Sequence, residues 1–379
     1  MKVLFIVPQL HFSGTAQQLT LLARALPRDQ FDPRMLILGK ISSYGEVLRQ
    51  ANVPCQALAW TRSLDLQPLW RLRRLIRDFD PDLLHVSGLA ALRIVQWVRG
   101  NRPVMLGDPI PAGRRQRRFN RLDCWLLNRV ERILVKTPSE GRLCRSLGLA
   151  AHKIALIPPA VDFRPAPHID RPSFLRAISI PASAQILLCL GPVEPHKGFR
   201  DGIWALDILK YLFDDLHMVL LGDGSDRSRL ERFAHAIRVN DRVHFVGIQK
   251  EIAPWLAVGN IVWIPSVVAA GAHAALAAMA AAKPVAASRL PELVDILGDS
   301  PDACWFSPGD KVGLARQTRI LLKDADLRQR MGEALQWRAV EQFTISSMVG
   351  HYVQLTSTIA TTKKYLGFST FPKGLLLAE

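Results

Sequence analysis

Short apolar runs that alternate with helical patterns are the feature that most constrains the fold of this chain. Six such runs lie in the first half, at 3–7, 35–38, 83–86, 104–106, 133–135 and 154–157, and five in the second, at 186–190, 218–221, 243–246, 261–264 and 285–287. Helical segments such as 16–26 and 66–77 separate them. Almost wholly apolar runs joined by helices indicate parallel strands buried on both faces. The sequence therefore predicts α/β domains with doubly wound parallel sheets.

Prolines concentrate between the two sets of runs. Between 158 and 181 the prolines are Pro158, Pro159, Pro165, Pro167, Pro172 and Pro181. Proline removes a ladder donor and stiffens the backbone, which is typical of a linker. We therefore predict Rossmann-like domains at 1–165 and 183–344, joined by a linker at 166–182 and facing a cleft. The segment 345–379 is predicted to be a helix and tail that pack back across the linker.

The net charge of +16 indicates an anionic partner: nucleic acid, a phosphorylated ligand or an anionic membrane. The five cysteines are scattered without metal-ligand spacing, so thiols in a reducing compartment are expected. No apolar run is long enough to span a bilayer. We expect a cytoplasmic location, with attachment to the inner face of the cytoplasmic membrane left open.

Two loops that follow strands have the small residues of an anion-binding turn. The first strand leads through Ser13-Gly14 into a helix, and such a loop can present backbone N–H groups to an anion. The second half opens with Gly191 at a strand end and with Lys197-Gly198 at the next helix, where a lysine can neutralise a phosphate. An ordinary tight turn and a solvated lysine remain the alternatives.

A third loop, after the strand at 218–221, has the sequence Gly222-Asp223-Gly224-Ser225. Its glycines allow a sharp turn, and Asp223 or Ser225 can cap the helix that follows. Both capping and a ligand role are compatible with this pattern.

The order of these segments resembles glycosyltransferase family 4, enzymes that use nucleotide sugars and have the two-domain GT-B fold. The resemblance covers nearly the whole chain. It is strongest at 190–198 (LGPVEPHKG), 219–224 (VLLGDG), 243–247, 264–266 and 278–288 (AMAAAKPVAAS), and the first half adds 81–86 (PDLLHV) and 153–162 (KIALIPPAVD). No single motif decides, whereas the ordered series is specific.

The resemblance implies transfer of a sugar from a nucleotide-sugar donor to a glycan or lipid-linked acceptor, with retention at the anomeric carbon. It implies neither a metal nor another cofactor. Lys197 matches the lysine that holds the diphosphate. The donor- and phosphate-binding set is then Lys197, Gly191, Gly198, Gly222, Gly224 and Ser266, and Ser13 and Gly14 form the acceptor-side loop.

Several of the family's site residues are missing. The phosphate arginine falls at Pro192, and the two glutamates that hold the donor sugar and ribose fall at Ala269 and Ala277. The family's first-domain histidine is replaced at Gly107-Asp108. Each charged hydrogen bond lost this way costs about 1–3 kcal/mol. The alternative to a divergent enzyme is therefore a catalytically inactive GT-B protein that binds a glycan, a nucleotide or a partner.

Few residues can substitute for the missing groups. His85 and Asp108 are the candidates for a catalytic role, although a turn-capping aspartate is an equal alternative for Asp108. His273 lies one helical turn after Ala269 and could enter the cleft, but we expect it on the surface or packed in its alanine-rich helix. Glu194 is expected to be a solvated loop residue.

Nearly half of the positive charge lies between 114 and 145, where ten basic and three acidic residues give a net +7. On a predicted helix, Arg114, Arg118, Arg121 and Arg129 share one stripe with Trp125. This basic surface would suit an anionic membrane or a phosphorylated lipid acceptor. A solvated arginine face is the alternative, and no nucleic-acid partner is expected because no known nucleic-acid module is visible.

Overall fold

The computed structural model describes residues 1–9, 14–40, 44–60, 67–110, 119–163, 167–300 and 303–366, with side chains to Ile359. Two wholly parallel sheets form its framework. The first has the order β3-β2-β1-β4-β5-β6-β7 and the second the order β10-β9-β8-β11-β12-β13. Both follow the nucleotide-binding order 3-2-1-4-5-6, so each has a switch point at the carboxyl ends of its central strands.

Helices cover both faces of the first sheet. Its strands are β1 (Lys2–Val7), β2 (Asp32–Ile37), β3 (Cys55–Ala57), β4 (Leu83–Ser87), β5 (Val104–Gly107), β6 (Arg132–Val135) and β7 (Ile154–Leu156). Its helices are α1 (Gly14–Ala25), α2 (Tyr44–Gln50), α3 (Gln67–Phe79), α4 (Leu89–Val95), α5 (Arg121–Leu127) and α6 (Pro138–Ser146). One core lies beneath α3, α4, α5 and α6, and another beneath α1 and α2.

The second sheet is covered in the same way around one large core. Its strands are β8 (Gln185–Leu190), β9 (Leu216–Leu221), β10 (Val243–Gly247), β11 (Ile261–Ile264), β12 (Val285–Ser288) and β13 (Cys304–Phe306). Its helices are α7 (Arg171–Ala177), α8 (Phe199–Leu209), α9 (Arg227–Ala236), α10 (Ala253–Val258), α11 (Ala272–Ala280), α12 (Pro291–Leu297), α13 (Lys311–Lys323) and α14 (Ala325–Gln342). The chain continues into a last helix, α15 (Ile345–Leu366).

The predicted fold class, two doubly wound parallel sheets, is confirmed. Within the stretch predicted as a linker, α7 forms a short helix whose Leu175 is fully buried in the second core. The last helix, α15, lies on the first sheet, where the ring of Tyr352 stacks on those of Phe5 and His85. No helix among the described residues is long and apolar enough to cross a membrane.

The carboxyl edges of the two sheets face each other. The backbone N–H of Ser139 in α6 donates to a carboxylate oxygen of Asp295 in α12 at 2.7 Å. The guanidinium of Arg142 lies 3.7 Å from the same carboxylate. These contacts join α6 of the first domain to α12 of the second, and the loops after the strands line the cleft beside them.

The predicted basic helix is wrong in its extent. Asn120 has extended backbone angles, and its side chain accepts a hydrogen bond from the N–H of Asp123, so α5 begins only at Arg121. An N-cap of this kind starts a helix and cannot continue one from upstream. Arg129 follows the end of α5, with its guanidinium 4.0 Å from the ring centre of Trp125. Arg114 and Arg118 lie outside the described residues.

Candidate functional site

Three polar side chains meet where β4, β5 and β6 end. The carboxylate of Asp108, just after β5, accepts hydrogen bonds from Ser87 at 2.8 Å and from Thr15 at 3.1 Å. It also forms an ion pair with Lys136, which directly follows β6. Asp108 has a left-handed backbone, with φ of 51°. The first-domain wall of the cleft is thus built around one fully bonded carboxylate.

The ion pair between Asp108 and Lys136 bears on the catalytic role considered for Asp108. Burial opposes ionisation of its carboxyl, but Lys136 and the hydrogen bonds outweigh it, so the pKa of Asp108 is lowered. The pKa of Lys136 is raised because Asp108 and Glu140 outweigh the effect of burial on it. An ionised, fully engaged carboxylate is a poor general base. The geometry favours a structural role for Asp108 over the catalytic one considered from the sequence.

His85 lies in the protein core. It is 2% exposed, and its Nδ1 lies 3.3 Å from the hydroxyl of Tyr352. Burial lowers the pKa of His85 to about 4, so the ring is neutral. The catalytic role considered for His85 is not supported, because the side chain packs beneath the sheet and does not reach the cleft.

Lys197 lies on the second-domain wall, in the turn Pro195–Lys197 that precedes α8. Its ammonium lies over Gly191, 3.5 Å from where a Cβ on that glycine would stand. Burial lowers the pKa of Lys197, and Glu292 at the start of α12 acts in the opposite direction. The ammonium of the lysine thus lies above the glycine loop at the end of β8.

The glycines around Lys197 are required by close backbone contacts. A Cβ on Gly198 would overlap the carbonyl oxygen of Pro265, and one on Gly222 would overlap the carbonyl oxygen of Gly191. A Cβ on Gly224 would likewise overlap the backbone of Val193. These contacts hold the loops after β8, β9 and β11 together beneath the lysine.

The third loop is held in a different way from the one predicted. Asp223 accepts from the N–H of Gly224, and neither Asp223 nor Ser225 caps α9, whose N-cap is Asp226. Instead, the carboxylate of Glu194 accepts from the hydroxyl of Ser225 at 2.6 Å and from its N–H at 3.1 Å. Glu194 is therefore a solvent-accessible loop residue, as expected, and it also links two loops.

A substitution tests this tight backbone packing. We expect Gly198→Ala to lower the free energy of unfolding by about 2 kcal/mol or more, because it adds a collision to the strain of a left-handed backbone. Gly309→Ala is the matched control: its φ is also positive, but no atom lies within 4 Å of the added Cβ. Urea unfolding of both variants measures the difference, and equal losses would contradict the collision.

The positions of the missing glutamates carry no hydrogen-bonding side chain. Ala269 is exposed in the loop before α11, and Ala277 is half-buried on that helix. Ser266 is 1% exposed and packs beneath this loop, close to Gly271. Ser266 therefore supports the loop from below.

His273 bridges the cleft, contrary to the expectation of a surface or packed residue. It is the second residue of α11, and its ring lies so close to Gly14, the first described residue of α1, that a Cβ there would overlap it. Gly14 therefore contacts the second domain, while Ser13 lies outside the described residues.

A cluster of charged groups that was not predicted surrounds this contact. The charges of Lys136 in the first domain and Lys197 in the second both act to lower the pKa of Glu292 and that of His273. The carboxylate of Glu140 accepts from the backbone N–H of Lys136 at 2.7 Å, and burial raises the pKa of Glu140 to about 7. The cleft thus has one lysine from each domain, with Glu292 near both.

Comparison with known families gives matches along both halves of the chain. A family model described as "Glycosyltransferase Family 4" matches residues 12–164, and one described as "Glycosyl transferases group 1" matches residues 170–337. The two matches are consecutive and together leave only residues 165–169 and the chain ends unmatched.

Curated relatives are similar over much of this chain. One is the lipopolysaccharide core biosynthesis glycosyltransferase LpsD of Rhizobium meliloti, which is 26% identical over 76% of this chain and 78% of its own length. Another is N-acetyl-alpha-D-glucosaminyl L-malate synthase of Bacillus anthracis, 30% identical over 48% of each chain. The chain thus spans about half the length of the second relative.

Among solved structures, Anabaena Alr3699/HepE in complex with UDP and glucose has a similar fold. The two superpose with a TM-score of 0.83 over 94% of this chain and 99% of that one, at 18% sequence identity. At this identity the likeness concerns the fold.

Proposed function

The chain belongs to glycosyltransferase family 4 and has the GT-B fold, and on this premise we propose that it transfers a sugar from a nucleotide-sugar donor to a glycan or lipid-linked acceptor. The donor binds on the second-domain loops with its diphosphate at Lys197, and the acceptor binds on the first domain. Transfer proceeds with retention at the anomeric carbon. The NMR coupling constant of the anomeric proton in the product tests that last point.

The observation that carries this proposal is the ammonium of Lys197 above the loops after β8 and β9. The backbone at Gly191 lies close to the ammonium, whose Nζ is 3.5 Å from where a Cβ on that glycine would stand, so a phosphate held by this loop would lie beside the charge. As the glycosidic bond breaks, negative charge develops on the leaving diphosphate. A fixed cation stabilises that charge. In other enzymes, removal of a single electrostatic donor raises the barrier by about 3–4 kcal/mol.

A UDP-sugar is the first donor to test, because the structure with the similar fold holds UDP and glucose. We expect one class of nucleoside diphosphate, among UDP, GDP, ADP and dTDP, to raise the melting temperature of the purified protein by about 2–5 °C at saturation. Free glucose at the same concentration is the control and should not change it. No shift with any nucleotide at millimolar concentration would contradict the proposal.

Binding without turnover would favour the inactive alternative. Release of the free nucleoside diphosphate from the selected donor distinguishes the two, because a transferase releases it in the presence of an acceptor extract and a binding module does not.

The acceptor side offers a surface suited to an anionic membrane, on the helical layer α3–α5. Trp97 is 81% exposed and Trp70 is 67% exposed, and Trp125 is also exposed on this layer. Exposed arginines of the same layer are Arg71, Arg73, Arg74, Arg77, Arg121 and Arg129. Tryptophan favours the membrane–water interface, and each arginine near an anionic surface contributes about 1 kcal/mol. We propose that this layer holds the enzyme at the membrane that carries its acceptor.

Vesicle binding tests the proposed membrane surface. We expect sedimentation with vesicles that contain phosphatidylglycerol, little with pure phosphatidylcholine, and weaker binding at high salt. The double variant Trp70→Ser/Trp97→Ser should bind about tenfold more weakly, because two aromatic side chains no longer enter the interface. Trp337→Ser is the matched control, since Trp337 is 67% exposed but lies on α14 of the second domain. An equal loss in the control, or equal binding to both lipids, would contradict the assignment.

A further inference from the structure

His273 combines two properties that no other residue of its helix has. It is the only polar side chain of α11, whose sequence is otherwise alanine, leucine and methionine. It also reaches across the cleft to the backbone of Gly14 in the first domain. A hydrogen-bonding ring therefore lies in the cleft, four residues after Ala269, where the resemblance places a glutamate.

The charged groups that affect the pKa of His273 come from three separate elements. Lys197 precedes α8, Lys136 follows β6 and Asp108 follows β5, while Glu292, near the start of α12, affects the pKa of both lysines. Burial, together with the two lysines, lowers the pKa of His273 to about 3, and Asp108 opposes this shift. The ring is thus neutral in the empty cleft, with an N–H donor and an acceptor nitrogen.

The charged groups near His273 favour an anionic ligand. Two ammonium groups flank the ring, and one of them, Lys136, is already paired with Asp108. The ammonium of Lys197, in contrast, has no hydrogen bond or ion pair with a described residue, and the carboxylate of Glu292 affects its pKa only through space. A group that satisfies both Lys197 and the imidazole N–H is an anion with several acceptor oxygens, such as a diphosphate.

We propose that His273 donates a hydrogen bond to the diphosphate of the donor and, with Lys197, replaces the arginine that this chain lacks at Pro192. This inference rests on the proposed function, because it names a further residue of the same donor site. The contact with Gly14 places the ring where the first domain closes on the bound donor. His273 is therefore a donor-binding residue that the family pattern does not predict.

Calorimetric titration with UDP and with uridine tests the inference. We expect His273→Ala to weaken UDP binding about tenfold to hundredfold, the loss typical of a hydrogen bond to a charged group. Uridine has no phosphate, so its affinity should stay within about twofold. His273→Gln keeps an N–H donor and should recover part of the lost affinity for UDP.

The control is His235→Ala, since His235 is exposed near the end of α9, and it should bind UDP like the wild type. If His273→Ala binds UDP as well as the wild type or better, the ring does not contribute to binding the diphosphate and the inference is overturned. If His273→Ala loses uridine affinity equally, the phosphate contact is also overturned. A wild-type protein that binds none of UDP, GDP or ADP would instead contradict the proposed function, which keeps the two failures distinct. Melting temperatures of the variants check that each is folded.

Discussion

Replacing Lys197 by alanine should lower donor turnover by about 100-fold or more and weaken the binding of the nucleoside diphosphate at least about tenfold. The reason is that the ammonium of Lys197 lies over the loop after β8, where the family's arginine position is Pro192. Release of the nucleoside diphosphate measures turnover, and calorimetry measures binding.

Lys323→Ala is the matched control for this experiment. Lys323 is exposed at the end of α13 and should be replaceable without loss of activity. A Lys197→Ala variant that binds and turns over the donor like the control would show that the diphosphate lies elsewhere.

Asp108→Asn should lower the free energy of unfolding by about 3 kcal/mol at neutral pH. The substitution leaves the ammonium of Lys136 without its carboxylate in a mostly buried site. Asparagine keeps the shape of the side chain and tolerates the left-handed backbone at this position, so the loss reports the charge. Urea unfolding of the two proteins at pH 7 measures it.

The pH dependence of the stability lost in Asp108→Asn follows from the pKa shifts of Asp108 and Lys136. The pKa of Asp108 is lowered, so its contribution is present above an unfolded value of about 3.9 and is lost as the pH falls through the folded value. The pKa of Lys136 is raised, so its contribution is present below about 10.4 and is lost as the pH rises through the folded value. The difference between wild type and variant should therefore decrease as the pH falls through the folded value of Asp108 and as it rises through that of Lys136.

A double variant separates the ion pair from general loss of packing. In Asp108→Asn/Lys136→Met neither charge remains, so much of the stability lost in the single variant should return. A single-variant loss below about 0.5 kcal/mol, or no recovery in the double variant, would contradict a buried pair that stabilises the fold.

Much of the fold could be predicted because the strands are buried on both faces and almost wholly apolar. The eleven apolar runs in the sequence correspond to eleven of the strands that the structure describes. Those missed, β3 and β13, are three-residue strands at the edges of their sheets, and in β3 the polar Gln56 interrupts the apolar pattern. The predicted extent of the basic helix was wrong because Asn120 caps the helix that begins at Arg121. The helical periodicity of the sequence gives no sign of this start.

The candidate site was only partly predictable. Lys197 and its glycines have a local signal, since a charge and small residues follow one strand. Lys136, Ser87 and Glu292 come from three separate parts of the chain, so their proximity depends on the sheet order and the closure of the domains. The carboxyl-end rule could have flagged Lys136, which directly follows β6, the strand beside the one that precedes Asp108. His273 could not be placed, because the sequence of α11 gives no sign of what faces it.

The most direct test of the central claim is a crystal structure of the protein with the nucleoside diphosphate that the thermal-shift panel selects. The account predicts the diphosphate in the interdomain cleft, with an oxygen about 3 Å from the Nζ of Lys197 and the loops after β8 and β9 beneath it. A nucleotide bound outside the cleft, or one whose diphosphate points away from Lys197, would contradict it.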